Sequence, residues 1–271
     1  MNSQELIATI RAAQSVELEQ LALRYQDDPR LGVQRAIRQA LQRQLDQHKE
    51  EARCAKLYKS LDELGNNSLV VGIDEVGRGS LAGPLVVAAV ILPPKPRILG
   101  LNDSKQLKPV QRQKLSEQIK ALAISVQLAW IDAQEIDRLG MTACLKKAMR
   151  QVLEDCGLQP DLVLIDGHPV GIHPKEQCII HGDALEAPIA AASIVAKVSR
   201  DHWMVEAAKK HPGYGWEDNK GYGSAEHIQA LRDLGPTGLH RLSFLHGILD
   251  KSPATGKAAG HKVDPSQESL F

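Results

Sequence analysis

Asp74 and Glu75 interrupt an apolar run, VVGIDEV (70–76), that should be buried, while DLVLID (161–166) and QCIIHGD (177–183) close on Asp166 and Asp183. A buried carboxylate without a partner costs several kcal/mol, roughly. Four oxygen donors with no cysteine or histidine pattern around them suit a hard cation, Mg²⁺ or Mn²⁺. Two such ions ~3.5–4 Å apart are a recurring device for phosphodiester cleavage, one activating water and the other stabilising the leaving oxygen. Each acid alone has an ordinary explanation. Asp166-Gly167 is turn chemistry, Gly182-Asp183 suits a helix cap, and Asp74 could answer a buried arginine. Together, at the ends of apolar runs where α/β proteins gather their ligand sites, they favour a shared metal site. Neighbours on a regular strand face opposite ways, so Asp74 and Glu75 are expected to meet where the strand bends or ends, between Gly72 and Gly77.

Groups suited to phosphate lie between these acids. Gly77-Arg78-Gly79 offers backbone that no side chain shields. DSKQL places Ser104 and Lys105 in a polar loop, and SIVAKVSR sets Ser193, Lys197 and Arg200 near one helical face. HPGYGWEDNKGYGSAEH (211–227) gathers Tyr214, Trp216 and Tyr222 among glycines. Tyr214 and Trp216 read as rings capping a structural loop, and Tyr222 as a ring able to pack on a sugar or base.

The elements that must position these residues alternate between strand and helix. LVVGIDEV and LVVAAVIL (85–92) read as strands, followed by a helix over 108–123 and a strand over 124–131. Helices are expected within 133–157, interrupted at Gly140, then strands ending at Asp166 and near Asp183, then a long helical region that Pro188 is free to break. The pattern predicts an α/β fold. Residues 1–66 read as a separate helical extension, with Ser15 a candidate cap, and GNNS (65–68) marks its boundary. Between Arg35 and Lys59 it carries seven basic residues against three acids. That is either a solvated helix face or an accessory surface for a phosphate backbone.

Composition excludes little. The 271 residues hold 33 basic and 33 acidic side chains, so a nucleic-acid partner would need basic groups concentrated on one face. Four scattered cysteines and an N-terminus without an apolar core point to a reduced, cytoplasmic protein with no membrane span.

In GIDEVGRGSLAGPLVVAAV, DSKQL, LIDG, HGDA through AASIVAKVSRD, and HPGYGWEDNKGYGSAEH, in that order over roughly 69–250, the chain resembles the type 2 ribonucleases H, the family of bacterial ribonuclease HII. The resemblance implies an RNase H-like mixed sheet flanked by helices. It also implies metal-dependent endonucleolytic cleavage of RNA in RNA–DNA hybrids and incision 5′ of a single ribonucleotide in duplex DNA, leaving 5′-phosphate and 3′-hydroxyl ends. That activity would serve primer and ribonucleotide removal in replication and repair. The family's four metal-binding acids fall on Asp74, Glu75, Asp166 and Asp183. Its ribonucleotide-sensing Gly-Arg-Gly falls on Gly77, Arg78 and Gly79, and its substrate-stacking tyrosine on Tyr222. Asp201 matches a family position and reads as structural. Another two-metal nuclease of this fold, or a non-catalytic hybrid-binding module, would show itself by cutting all-DNA duplex or by binding without turnover. A monomer is expected.

The C-terminal tail, 251–271, ends in QESLF. It resembles the short Gln-x-Ser-Leu-Phe peptide by which bacterial replication and repair proteins dock on the DNA sliding clamp, with Gln267, Leu270 and Phe271 as the docking residues.

Overall fold

The structure, a computed structural model, describes residues 2–65 and 67–249. Four helices come first: α1 (Ser3–Ala12), α2 (Ser15–Arg24), α3 (Leu31–Leu57) and α4 (Lys59–Leu64). Then follow β1 (Val70–Val76), β2 (Leu85–Ile91), α5 (Pro109–Leu122), β3 (Ser125–Ile131), α6 (Ala133–Leu139), α7 (Met141–Asp155), β4 (Leu162–Asp166) and β5 (Glu176–Ile179). A 3₁₀ turn, Gly182–Ala184, leads into α8 (Ala187–Lys210), α9 (Trp216–Asn219) and α10 (Ala225–Leu234) follow, and a second 3₁₀ turn spans Leu242–Phe244.

The strands form one mixed sheet in the order β3-β2-β1-β4-β5. β1 pairs antiparallel with β2, and β2 with β3, while β1–β4 and β4–β5 are parallel. Alternation along the strands divides the core in two. Val70, Val86, Ala88, Val90 and Leu164 meet α8, α5 and the end of α3 on one face. Val71, Ile73, Val87, Ala89, Val163 and Ile165 meet α6 and α7 on the other. This is the expected RNase H-like architecture with its helical N-terminal extension. Among the described residues no helix is long and apolar enough to cross a membrane.

Local details depart from the sequence reading. Ser15 does not cap α2; Gln14 holds that position without a side-chain bond. Pro188 sits in the first turn of α8, where a missing N–H costs nothing, and starts the helix instead of breaking it. Asp183 lies on the 3₁₀ turn beyond β5, not at the strand's end. β1 neither bends nor stops at the acids: Asp74 pairs with Ala88 and Glu75 with Val87 in regular register. It is β4 that stops, its last pair with β1 being Ile73 with Ile165.

A third cluster joins α8, α9, α10 and residues 81–82 around Trp216, Tyr214, Met204 and Leu231, so both rings are structural. Behind Trp216 two histidines form a polar chain. His227 Nδ1 faces the Tyr222 carbonyl at 2.9 Å and must carry the proton, leaving Nε2 to accept from Trp216 Nε1 at 3.1 Å. His240 Nδ1 accepts from the Thr237 amide at 2.9 Å, so its Nε2–H donates to His227 Nε2 at 3.1 Å. Both rings are therefore neutral.

Burial, with His227 beside it, lowers His240 to about 3. Below the ordinary histidine value of about 6.5 the unfolded chain takes up a proton that the folded ring refuses. Stability from this ring is present above that value and lost as pH falls towards 3. His240→Gln should therefore be less stable than the parent at pH 7.5, with the gap narrowing by up to ~1.4 kcal/mol per pH unit below about 6.5. Urea unfolding of both proteins at pH 7.5 and 5 measures it; a gap independent of pH would mean that the ring is not held neutral.

Candidate active site

Strand parity sends Asp74 to the α8 face of the sheet and Glu75 to the opposite one. The end of β4 leaves the flank of β1 open beside them, and Asp166 follows the last β4 pair there. Asp74 is 6% exposed and accepts a hydrogen bond from Ser193 of α8 and another from the Glu75 amide at 2.7 Å. Burial, then the negative Glu75 and Asp166, push it well above the carboxylate range. Burial also raises Glu75, aided by Asp166 and opposed by Arg78, whose Nη1 lies 3.5 Å from Glu75 Oε1.

Asp166 Oδ1 accepts the Gly182 amide at 2.7 Å, tying the end of β4 to the turn that carries Asp183. Asp183 is buried and pushed up to about 6, by burial first and then by Asp103 and Asp166. The Asp103 carboxyl lies beside it, and the like charge of the two groups adds to the rise. Asp103 Oδ1 also accepts the Lys105 amide at 2.9 Å, closing an Asx turn. Burial works to lower Lys105, yet Asp103, Asp183, Asp74 and Asp166 together hold it above its ordinary value.

The four expected acids thus lie in one electrostatic neighbourhood, with Asp103 as an unexpected fifth. Its signal is its place at the head of DSKQL, directly before Ser104 and Lys105. The cations facing these five acids are Lys105 and Arg78. A crowded, all-oxygen donor set with an excess of negative charge suits a hard divalent ion. As the side chains stand, no three of them converge on one point among the described residues. Asp74 and Asp166 hold separate hydrogen bonds, to Ser193 and to Gly182, and Asp183 faces Asp103.

The other expected residues take different positions. Ser104 and Ser193 are buried and bonded to each other at 2.9 Å, so they link the DSKQL loop to Asp74. Lys197 pairs with Asp201 at 2.7 Å. Arg200, read as a phosphate group, is instead fully buried. It donates to the carbonyls of Pro84 at 2.8 Å, Lys220 at 2.9 Å and Ala82 at 3.0 Å, and to Ser80 Oγ at 2.8 Å. Arg241, equally buried, donates to Arg78 O at 3.0 Å and Gly83 O at 2.8 Å. The two guanidiniums hold the loop 77–84 from behind.

Within that loop the two glycines differ. Gly77 has φ +84°, and a Cβ there would collide with Arg200 Nε, so the protein itself demands glycine. Gly79 has an ordinary φ, and a Cβ would meet nothing within 4 Å. Arg78 and Gly79 are exposed, and among the described residues their amides have no partner. Tyr222 is 37% exposed; its ring lies 5.4 Å from the Arg200 guanidinium and 5.8 Å from Lys197 Nζ. Gln267, Leu270 and Phe271 lie outside the described residues.

A family model described as Ribonuclease HII matches residues 71–246, and one described as Ribonuclease HII N-terminal domain matches residues 4–60. The ribonuclease HII of Enterococcus faecalis is 42% identical over 226 residues, 81% of this chain and 87% of the relative. Among solved structures, the PCNA:RNase HII complex from Archaeoglobus fulgidus is similar with a TM-score of 0.59, 22% identity, and coverage of 68% of this chain and 98% of that one. Bst-RNase HIII in complex with Mn²⁺ is similar with a TM-score of 0.55, 19% identity and 70% coverage of each chain. Those two structural likenesses bear on the fold alone, whereas the family models and the Enterococcus relative bear on descent. The chain belongs to the ribonuclease HII family and is an endonuclease of the ribonuclease class.

Proposed function

We propose that the chain hydrolyses the RNA of RNA–DNA hybrids and incises 5′ of single ribonucleotides embedded in duplex DNA, with Mg²⁺ or Mn²⁺ held by Asp74, Glu75, Asp166 and Asp183. The observation that carries this reading is the bare backbone at Gly79 beside the crowded carboxylates. Neither φ nor packing requires glycine there, so the open space serves something outside the chain. At one nucleotide position only the 2′-hydroxyl tells RNA from DNA. The amides of Arg78 and Gly79 are free to donate to it.

Divalent ions, when bound, supply an activated water and offset charge on the leaving oxygen. The remaining roles belong to the chain. Asp74, raised by burial and by its acidic neighbours, relaxes towards the ionised form once cationic charge lies beside it. Asp103 adds negative charge beside Asp183, so cationic charge bound there would favour the ionised form of Asp183. Lys105 offers a cation to the scissile phosphate, at a position set through the Ser104–Ser193 bond. Tyr222 packs against the following deoxyribose, where an extra hydroxyl would not fit. Lys197, held by Asp201, backs that ring.

The deciding assay uses a DNA duplex carrying one ribonucleotide, with and without Mg²⁺ or Mn²⁺. The expected product is a cut 5′ of the ribonucleotide, with all-DNA duplex left intact; cutting of all-DNA duplex would assign another nuclease class. Asp74→Asn should abolish metal-dependent turnover while keeping the parent's unfolding midpoint or raising it, because a carboxyl whose ionisation is opposed by burial, a cost to folding at neutral pH, is removed. Near-normal activity would take Asp74 out of the metal site.

Gly79→Ala should fold with parental stability and lose at least about tenfold in rate at an embedded ribonucleotide, about 1.4 kcal/mol in barrier. Gly77→Ala should lose stability itself, by roughly 1–3 kcal/mol. Thermal melts alongside the cleavage assay separate the two. Equal melting losses would make Gly79 structural.

The tail residues Gln267, Leu270 and Phe271 are proposed to dock on a DNA sliding clamp, the archaeal relative having been solved with PCNA. Deletion of 267–271 should abolish clamp binding in a pull-down with purified clamp and leave cleavage of free duplex unchanged. Clamp binding that survives the deletion assigns the contact elsewhere.

A further inference from the structure

The 27 residues of α3 belong to two cores. The first half closes a small core with α1 and α2 through Val33, Ala36, Ile37 and Ala40. The second half enters the main core through Cys54 and Leu57, with Tyr58 just beyond. Three bonds fix it to the segment that leads into the candidate active site. Glu50 Oε1 accepts the Gly100 amide at 2.7 Å, Tyr58 Oη accepts the Ile98 amide at 3.0 Å, and Cys54 Sγ donates to Ile98 O at 3.6 Å. Asp103 follows Gly100 by three residues, at most ~11 Å of chain. The C-terminal third of α3 is therefore held near the loop of Asp103, Ser104 and Lys105.

The outward face of the helix is basic. Arg35, Arg38, Lys49 and Lys56 are exposed, and at 3.6 residues per turn they fall within an arc of about 60° along about 31 Å of helix. Among the described residues none of the four has an ion pair or hydrogen bond. The acids of α3 are engaged: Glu50 with Arg53 at 2.7 Å and with Gly100, Glu51 with Gln47 at 2.9 Å, Asp46 with Gln42 at 2.8 Å. Of these only Asp46 lies near the basic line. In a chain whose formal net charge is zero, a row of unpaired cations is a local choice rather than a reflection of composition.

We infer that this stripe is a second duplex-binding surface, following the phosphates of the nucleic-acid arm that leaves the active site. The inference rests on the proposed action on duplex substrates. Rigid attachment of α3 beside the Asp103–Lys105 loop matters as much as its charge. A flexible basic arm would raise local concentration, whereas a docked helix tracks one arm in one register. The surface adds affinity without base contacts, so it acts on every sequence alike.

The test uses the full chain with Arg35, Arg38, Lys49 and Lys56 all changed to Gln, and a second variant with Arg35→Lys and Arg38→Lys. Cleavage at one embedded ribonucleotide is followed in duplexes with arms of about 6 and about 16 base pairs over a range of salt, each arm length being set against the ~31 Å stripe. The parent should gain about tenfold in kcat/KM from the longer arms at low salt. The Gln variant should lose that gain, and its log–log salt dependence on the long duplex should be shallower by about 3. The Lys variant should keep both. An unchanged salt slope would make the stripe a solvated face, and an equal loss on both duplexes would mean damage to the active site; either overturns the inference. Failure of the parent to cut at the ribonucleotide would overturn the proposed function instead.

Discussion

A Cβ on Gly72 would collide with the carbonyl group of Pro188 and the amide nitrogen of Ile189, so β1 and the first turn of α8 meet backbone against backbone. That contact sets the spacing of everything around the carboxylates. Two residues along β1 from it stands Asp74, and five residues along α8 from Pro188 stands Ser193, which bonds to Asp74. The same first turn is preceded directly by the 3₁₀ turn of Asp183, whose Gly182 amide is tied to Asp166. Three segments distant in sequence thus deliver their acids to one place because one strand position lacks a side chain. The cost is electrostatic: burial and like charge raise Asp74, Glu75 and Asp183 together.

The loop 77–84 is governed by the opposite charge. Among the described residues Arg200 and Arg241 are buried without a carboxylate in contact, and burial lowers both, Arg241 to about 9 with Arg200 adding to the effect. Their donors are spent on the carbonyls of Arg78, Ala82, Gly83 and Pro84. Turning those carbonyls inward leaves the exposed amides of Arg78 and Gly79 unpaired. The C-terminal segment completes the arrangement, because the Leu81 amide donates to Gly221 O at 2.8 Å and the Arg241 amide to Leu81 O at 2.9 Å. Tyr222 follows Gly221 directly, so the two features read as ribonucleotide sensors share one hydrogen-bonded frame.

Much of this was legible in the residues. The apolar runs marked all five strands; β1, β2 and β4 are apolar at nearly every position because both faces are covered, whereas β3 and β5 at the sheet's edges are only partly buried. The four acids stood out because they broke those runs. What escaped depends on backbone detail or on long-range packing. Whether Ser15 caps a helix, or Pro188 starts one instead of breaking it, turns on one residue's φ and ψ, which composition does not encode. The expectation that β1 must bend at its acids failed because the neighbour's end, at Asp166, opens the same space. Arg200 looked like a phosphate ligand because helical spacing aligned it with Lys197; nothing local shows that four oxygens from residues 80–84 and 220 surround its guanidinium. Asp103 was hidden in plain view, since its partner Asp183 lies 80 residues further on.

Local preference and global fold conflict at few places in this chain, and apart from Ser15, with φ +45° in the N-terminal extension, they fall close together. Crowded carboxylates, paired buried guanidiniums, a left-handed Gly77 and two histidines kept neutral all lie in the shell around β1, α8 and the 220–241 segment. Elsewhere strands are apolar, helices are amphipathic and most exposed charges are solvated or paired. Sites that run against local preference persist only when the surroundings over-determine them. Here the surroundings are the α8 backbone against Gly72, the guanidinium bonds to residues 78–84 and the His227–His240 chain behind Tyr222. Each of these acts on backbone rather than on the side chains proposed to meet substrate. A frame built that way keeps its geometry when a carboxylate changes protonation or takes up a cation, as the metal binding proposed for Asp74 and Asp183 would require.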